Sequence, residues 1–219
     1  MEEGPRGAIL QKDKKTYAIV PRIPMGVLTP EILESIAKVA RKYNVQIIKI
    51  TSGQRIALVG LNPEDVGPAW KDLEMEVGPA EGLCVHYVQA CPGTETCKFG
   101  QGDSLSLAAK AEKLFVGKED FIPAKTKFGI SGCMLNCGES YVRDLGAFCT
   151  PKGWNVLVGG NSGGRPRIGD VIAKNLTEDQ VIELFSKCLD FYGRNANSRE
   201  RMPRFIERIG IEEFKRAVL

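Results

Sequence analysis

Apolar residues recur along the chain in two rhythms, and the switches between them mark the elements. Residues 16–23 (TYAIVPRI) are rich in β-formers and predict a strand. Thr29 then offers a helix cap and Pro30 a first helical position. Ile32, Leu33, Ile36, Val39, Ala40 and Tyr43 follow at the 3.6-residue period of one helix face, and Asn44 supplies a left-handed stop. VQIIKIT at 45–51 and RIALVGL at 55–61 predict two strands joined by Ser52-Gly53-Gln54, and Asn62-Pro63 opens a short helix to about Met75. This β-α-β-β-α order predicts a small sheet with helices on one face.

VGPAEG at 77–82 breaks the pattern and predicts a boundary between a domain at 1–80 and a second at 81–219. Beyond it come an apolar strand at 83–90, a loop with Gly and Cys, a helix from about Ser104 to Phe115, and a strand at 125–131 that runs into a second cysteine loop. Residues 144–174 mix glycine with strand formers and predict hairpins. Thr177 with Gln180 forms a capping box, and the helix behind it buries Val181, Ile182, Leu184, Phe185, Cys188 and Leu189 before ending at Gly193. A basic run and a last apolar-periodic helix close the chain. The class is α+β.

Composition narrows the chemistry. At 219 residues and 43% hydrophobic content the chain can bury a sizeable core. Thirty Lys and Arg against 27 Asp and Glu give +3, which excludes a strongly basic nucleic-acid binder but allows a local basic patch. No apolar run approaches the roughly 20 residues of a membrane span. The N-terminal MEEGPRG does not resemble a secretion signal, so a cytoplasmic protein is expected. There, seven cysteines suggest metal or redox chemistry rather than disulfides. His86 is the only histidine, which excludes a His-rich metal site.

Four cysteines pair off in two loops. Cys91 and Cys97 flank PGTET, Cys133 and Cys137 flank MLN, and each loop has glycines beside it: Gly93 and Gly100, Gly132 and Gly138. Glycine lets backbone approach a bulky inorganic group and donate N–H bonds to sulfur, and four thiolates on two rigid loops suit a [4Fe-4S] cube. Structural zinc also takes four thiolates, but usually at shorter and similar spacings. Four core cysteines without a ligand are the other alternative. Cys84, Cys149 and Cys188 show no such pairing.

These residues carry a resemblance. SGCMLNCGESYVRDLGA resembles the signature of the sirohaem-containing nitrite and sulfite reductases. CPGTETCKFGQGDS is similar to that family's upstream cysteine loop, TSGQRIALVGL to its ferredoxin-like half-domain, and RERMPRFIERIGIEEFK to its C-terminal helix. The likeness covers nearly the whole chain in the family's order and is closest to the small assimilatory-type sulfite reductases; Ala147 departs from a larger apolar residue of the signature. It implies a ferredoxin-like half-domain followed by a sirohaem- and [4Fe-4S]-binding domain.

The resemblance further implies that Cys91, Cys97, Cys133 and Cys137 ligate the cluster, with Cys137 also the axial ligand of sirohaem iron. Sirohaem carries eight carboxylates and the substrate is an oxyanion, so cations matter. Arg22 in VPRIP and Lys125 and Lys127 in PAKTKFG match the family's active-site cations, with roles in holding the anion and supplying protons. His86 stands where the family often has another substrate-binding Arg; it is either a proton-donating anion ligand or a core histidine. Arg55, Lys98, Arg143, Lys152, Arg165 and Arg167 are candidates for the haem carboxylates or are solvated charges. Gly160 and Asn161, after Gly159, bring backbone N–H groups to the haem rim or form an ordinary turn.

The expected reaction is the six-electron reduction of sulfite to sulfide, with nitrite to ammonia, or a non-catalytic electron-transfer role, as alternatives. Larger family members contain two such halves and this chain one, which leaves monomer and homodimer both open. The sequence shows no nucleotide-binding motif, so electrons are expected from a ferredoxin- or flavodoxin-like protein, docking on a basic rim for which Arg194, Arg199, Arg201 and Arg204 are candidates; a solvated tail is the alternative. No nucleic acid and no membrane partner is expected.

Overall fold

The Thr29 hydroxyl accepts from the Ile32 N–H at 3.4 Å, and Pro30 fills the first turn of α1 (Pro30–Lys42). Asn44 takes the left-handed conformation expected of it, at φ 50°. The structure, a computed structural model, describes residues 4–77, 82–117 and 122–219. The chain divides into two units, Met1–Glu81 and Gly82–Leu219. Most of the segment read as a boundary from sequence, residues 78–81, lies outside the described residues.

The first unit is a four-stranded antiparallel sheet in the order β1-β2-β4-β3: β1 (Ala8–Leu10), β2 (Tyr17–Ile19), β3 (Ile47–Ile50) and β4 (Ile56–Leu61). α1 and α2 (Pro63–Leu73) supply Ile36, Val39, Val66, Ala69 and Leu73 to a core shared with Ile19, Leu58 and Leu61. β1 has three residues and no alternation of its own, so the sequence pattern missed it. The strand expected at 16–23 is shorter, because Pro21 and Pro24 have no N–H to donate to a ladder.

The second unit is a five-stranded mixed sheet in sequential order: β5 (Val85–Ala90), β6 (Thr126–Ser131), β7 (Leu145–Thr150), β8 (Gly153–Val158) and β9 (Asp170–Leu176). β5, β6 and β7 run parallel, and β7, β8 and β9 are the antiparallel meander that the glycine-rich stretch predicts. α3 (Ser104–Phe115) connects β5 to β6, its first turn held by the Asp103 carboxylate accepting from Ser106 N–H at 2.9 Å. The Thr177–Gln180 capping box opens α4 (Glu178–Asn195), which runs two residues past the expected stop at Gly193. The last expected helix is two, α5 (Met202–Ile209) and α6 (Ile211–Val218), parted at Gly210 with φ +86°.

Alternation along β6 divides the sheet's two faces. Phe128 lies between Phe115 of α3 and Phe185 of α4, at ring separations of 5.7 and 5.1 Å, so Thr126, Phe128 and Ile130 look toward the helices. Lys127, Gly129 and Ser131 look the other way. Among the described residues no helix is long and apolar enough to cross a membrane.

Candidate active site

The two cysteine loops leave the ends of adjacent parallel strands, β5 and β6, and nest against each other. The Gly132 N–H donates to Cys91 Sγ at 3.1 Å, and Gln101 and Gly102 N–H both donate to the Gly132 carbonyl, at 2.7 and 3.1 Å. The nesting requires glycine: a Cβ on Gly132 would stand 2.5 Å from Gly93 Cα, and one on Gly100 would stand 2.6 Å from the Gly93 carbonyl carbon. Asn136 sits at φ 61° and its Oδ1 accepts from the Ser140 hydroxyl at 2.6 Å, which closes the second loop.

All seven cysteines are free thiols: Cys91 and Cys133 are half-buried, Cys97 and Cys137 exposed, and Cys84, Cys149 and Cys188 buried. Among the described residues no three His, Cys, Asp or Glu side chains gather around a single-ion position. The expected donors, Cys91, Cys97, Cys133 and Cys137, are thiols on glycine-built loops, with the Gly132 N–H aimed at Cys91 Sγ. That chemistry fits a cluster of several irons.

The second loop lies over the Lys127 face of β6. A Cβ on Gly129 would meet the Gly138 carbonyl at 2.6 Å and Arg143 Cγ at 2.8 Å, and the Ser131 hydroxyl accepts from Gly138 N–H at 3.0 Å. Lys127 is half-buried, with its ammonium 5.9 Å from the Tyr87 ring centre. Burial, and then the neighbouring Arg201 cation, hold that ammonium below the ordinary lysine range. Lys125, also half-buried, immediately precedes the strand.

Other expected residues lie elsewhere. His86 is 1% exposed, where the β5–β6 register slips between Val85 and Tyr87, and its Nε2 lies 3.0 Å from the Gly82 carbonyl. Burial with a backbone carbonyl as neighbour suits the core alternative for this residue. Arg143 was expected on a haem carboxylate or in solvent, but it is 3% exposed and engaged by the protein. Its Nη2 donates to Gln89 Oε1 at 2.8 Å and to Glu139, and its Nη1 donates to Ser162 Oγ at 2.7 Å, so it pins the cysteine loop to β5 and to the β8–β9 loop.

Gly160 is required by packing: a Cβ there would stand 2.5 Å from the Tyr141 carbonyl. The Asn161 side chain folds its own loop, donating to the Arg165 carbonyl and accepting from Gly163 N–H. Arg167 donates to the Gly159 carbonyl at 2.9 Å and pairs with Asp170 at 2.5 Å. Arg165 and Lys98 are exposed. In the first unit, Arg55 is buried at the β3–β4 turn rather than solvated, and Arg22 pairs with Glu76 at 2.5 Å. The sequence reading gave Arg201 only to a docking rim or a solvated tail and missed Asp144, which Arg201 meets across 57 positions.

Comparison with known proteins gives the site a context. Residues 81–219 match the family described as nitrite and sulphite reductase 4Fe-4S domain, and residues 9–76 match the nitrite/sulfite reductase ferredoxin-like half domain. The chain is 57% identical over 219 residues to an assimilatory-type sulfite reductase of Nitratidesulfovibrio vulgaris, covering all of both chains. It is 40% identical over 204 residues to an NAD(P)H nitrite reductase of Bacillus subtilis, spanning 93% of this chain and 25% of that one. Among solved structures, dissimilatory sulfite reductase I matches at TM-score 0.81 and 14% identity, over 93% of this chain and 69% of that chain. The Mycobacterium tuberculosis NirA protein matches at TM-score 0.80 and 19% identity, over 99% and 43%; at these identities both show the fold.

Proposed function

The chain belongs to the nitrite and sulphite reductase 4Fe-4S family, and from that premise we propose that it reduces sulfite to sulfide with six electrons from a separate carrier protein, of ferredoxin or flavodoxin type. One observation carries the proposal: the second cysteine loop lies on the strand face that presents Lys127. Two of the proposed cluster ligands, Cys133 and Cys137, thus belong to a loop on the wall that carries a half-buried cation. Full-length identity with an assimilatory-type sulfite reductase supports the choice of substrate.

Cys91, Cys97, Cys133 and Cys137 would hold the cluster, and Cys137 would also face sirohaem iron. When bound, the two groups supply the stored electrons and the iron centre at which the anion is reduced. The remaining work falls to side chains. Lys127 and Lys125 hold the anion by charge-assisted bonds, each worth about 1.5–3 kcal/mol net. The Lys127 Nζ–H is a proton source for each oxygen that departs as water, and burial makes that proton easier to give up. Arg22, which the resemblance also proposes for anion binding, pairs with Glu76 inside the first unit. With Arg143, Arg167 and Asn161 engaged by protein groups, the exposed Lys98, Lys152 and Arg165, the last 3.9 Å from Glu207, are the better candidates for sirohaem carboxylates.

The test is sulfite-dependent oxidation of a reduced viologen by the anaerobically purified protein. Lys127→Ala is expected to lose at least about tenfold in turnover while keeping its cofactors. Loss of the cofactors with turnover per bound haem unchanged would make Lys127 a haem ligand instead. The 40% identity with a nitrite reductase favours nitrite as a second substrate. The ratio of kcat/KM for the two anions decides between them.

A further inference from the structure

Arg201 stands in a basic run that reads from sequence as a docking rim or a solvated tail, and the structure gives its working end neither place. Its Nη2 donates to both oxygens of Asp144, at 2.9 and 2.7 Å, and its Nε is buried without a hydrogen-bond partner. Asp144 is 1% exposed at the start of β7, and its Oδ2 also accepts from the Lys127 backbone N–H at 2.9 Å. One carboxylate therefore ties the segment ahead of α5 to β6 at Lys127. Burial pushes the Asp144 carboxyl up, while Arg201 and the Lys127 N–H work the other way, and these three N–H contacts suit an ionised carboxylate that would be costly to leave buried alone.

The charged groups acting on the Lys127 ammonium are Arg201 ahead of α5, Asp144 just ahead of β7, and Arg143 and Glu139 from the second cysteine loop; β5 presents the Tyr87 ring. Both cations and both anions are already paired: Arg143 with Glu139, Arg201 with Asp144.

We propose that Arg201 and Asp144 are a positioning pair for Lys127, and that through them the C-terminal segment is part of the active site. Asp144 fixes the strand backbone at Lys127 and holds the guanidinium beside the ammonium. The lysine then passes its proton to a departing oxygen and is recharged from solvent. The proposal rests on the reading of Lys127 as anion ligand and proton donor, and it moves Arg201 from donor docking to the chemistry.

The experiment measures Lys127 directly, without turnover. Limiting acetic anhydride is applied to the purified holoenzyme across a pH series, and acetylation of the Lys127 peptide is read by mass spectrometry. Arg201→Gln removes the cation and leaves the Asp144 anion facing the lysine. Its labelling midpoint should rise by at least about half a pH unit, about threefold slower labelling at fixed pH. Asp144→Asn removes the anion and leaves the cation, so the midpoint should fall. Arg201→Lys should stay near the parent, and it replaces Arg201→Gln in the comparison should the latter fail to fold.

Opposed shifts are not expected of residues that only tack down a tail. Midpoints within about 0.2 unit of the parent in both Arg201→Gln and Asp144→Asn, or shifts of one sign, would overturn the pair. With Arg201→Lys standing in for Arg201→Gln, a parental midpoint beside a lowered one in Asp144→Asn supports it, and any other pattern overturns it. Absent shifts in an enzyme that still reduces sulfite refute the pair alone. Opposed shifts in a protein inert toward sulfite and nitrite would sustain the pair and sink the catalytic reading.

Discussion

At the scale of single residues, glycines decide whether the cysteines can work. Gly138 packs so closely on the Ile130 carbonyl that a Cβ would overlap it, and Gly132 and Gly93 are in mutual contact. Gly138→Ala is therefore expected to reduce iron per chain severalfold, because the loop must lift off β6 and carry Cys133 and Cys137 with it. Cys188 is the contrast. It is fully buried on α4, and burial pushes its thiol above the usual range. Cys188→Ala should keep the iron and cost about 1 kcal/mol in denaturant unfolding. Metal analysis of the two variants side by side checks both statements. Severalfold iron loss in Cys188→Ala, with Gly138→Ala unaffected, would reverse the assignment of which cysteines are structural.

At the scale of elements, the longer helices were legible because their apolar spacing and caps agree: α1, α3 and α4 begin where Thr29, Asp103 and Thr177 cap them. The parallel pairing of β5, β6 and β7 was not legible, since six-residue strands with buried faces carry no sign of direction. Nor was the Asp144–Arg201 pair. Its two halves are far apart in sequence, and each looks like ordinary surface charge until the C-terminal segment meets β7. Helix contacts can be probed by acid. Asp72 on α2 accepts from Lys42 Nζ and Tyr43 OH, each at 2.6 Å, and Lys42 first, then Tyr43, holds its carboxyl below the usual range. A carboxyl lowered in the folded state adds stability above its unfolded pKa and loses it as pH falls. Asp72→Asn should therefore lower the unfolding midpoint near about pH 7, and the difference from the parent should be smaller at about pH 3. An equal difference at both pH values would mean that packing, not charge, joins α1 to α2.

At the scale of the whole molecule, one cysteine-bearing unit and one ferredoxin-like unit make up a chain that spans a quarter of an NAD(P)H nitrite reductase and all of an assimilatory-type sulfite reductase. A chain of this size has to obtain its chemistry from cofactors and a few cations. We propose that in this protein Cys137 would join a [4Fe-4S] cluster to sirohaem iron. The direct measurement is low-temperature EPR and Mössbauer spectroscopy of anaerobically purified parent and Cys137→Ser protein, paired with their optical spectra. The account predicts a magnetically coupled cluster and isobacteriochlorin iron in the parent, and loss of that coupling together with sulfite reduction in the variant. A parent that holds a cluster and no tetrapyrrole, or a Cys137→Ser protein with unchanged coupling and turnover, would contradict it.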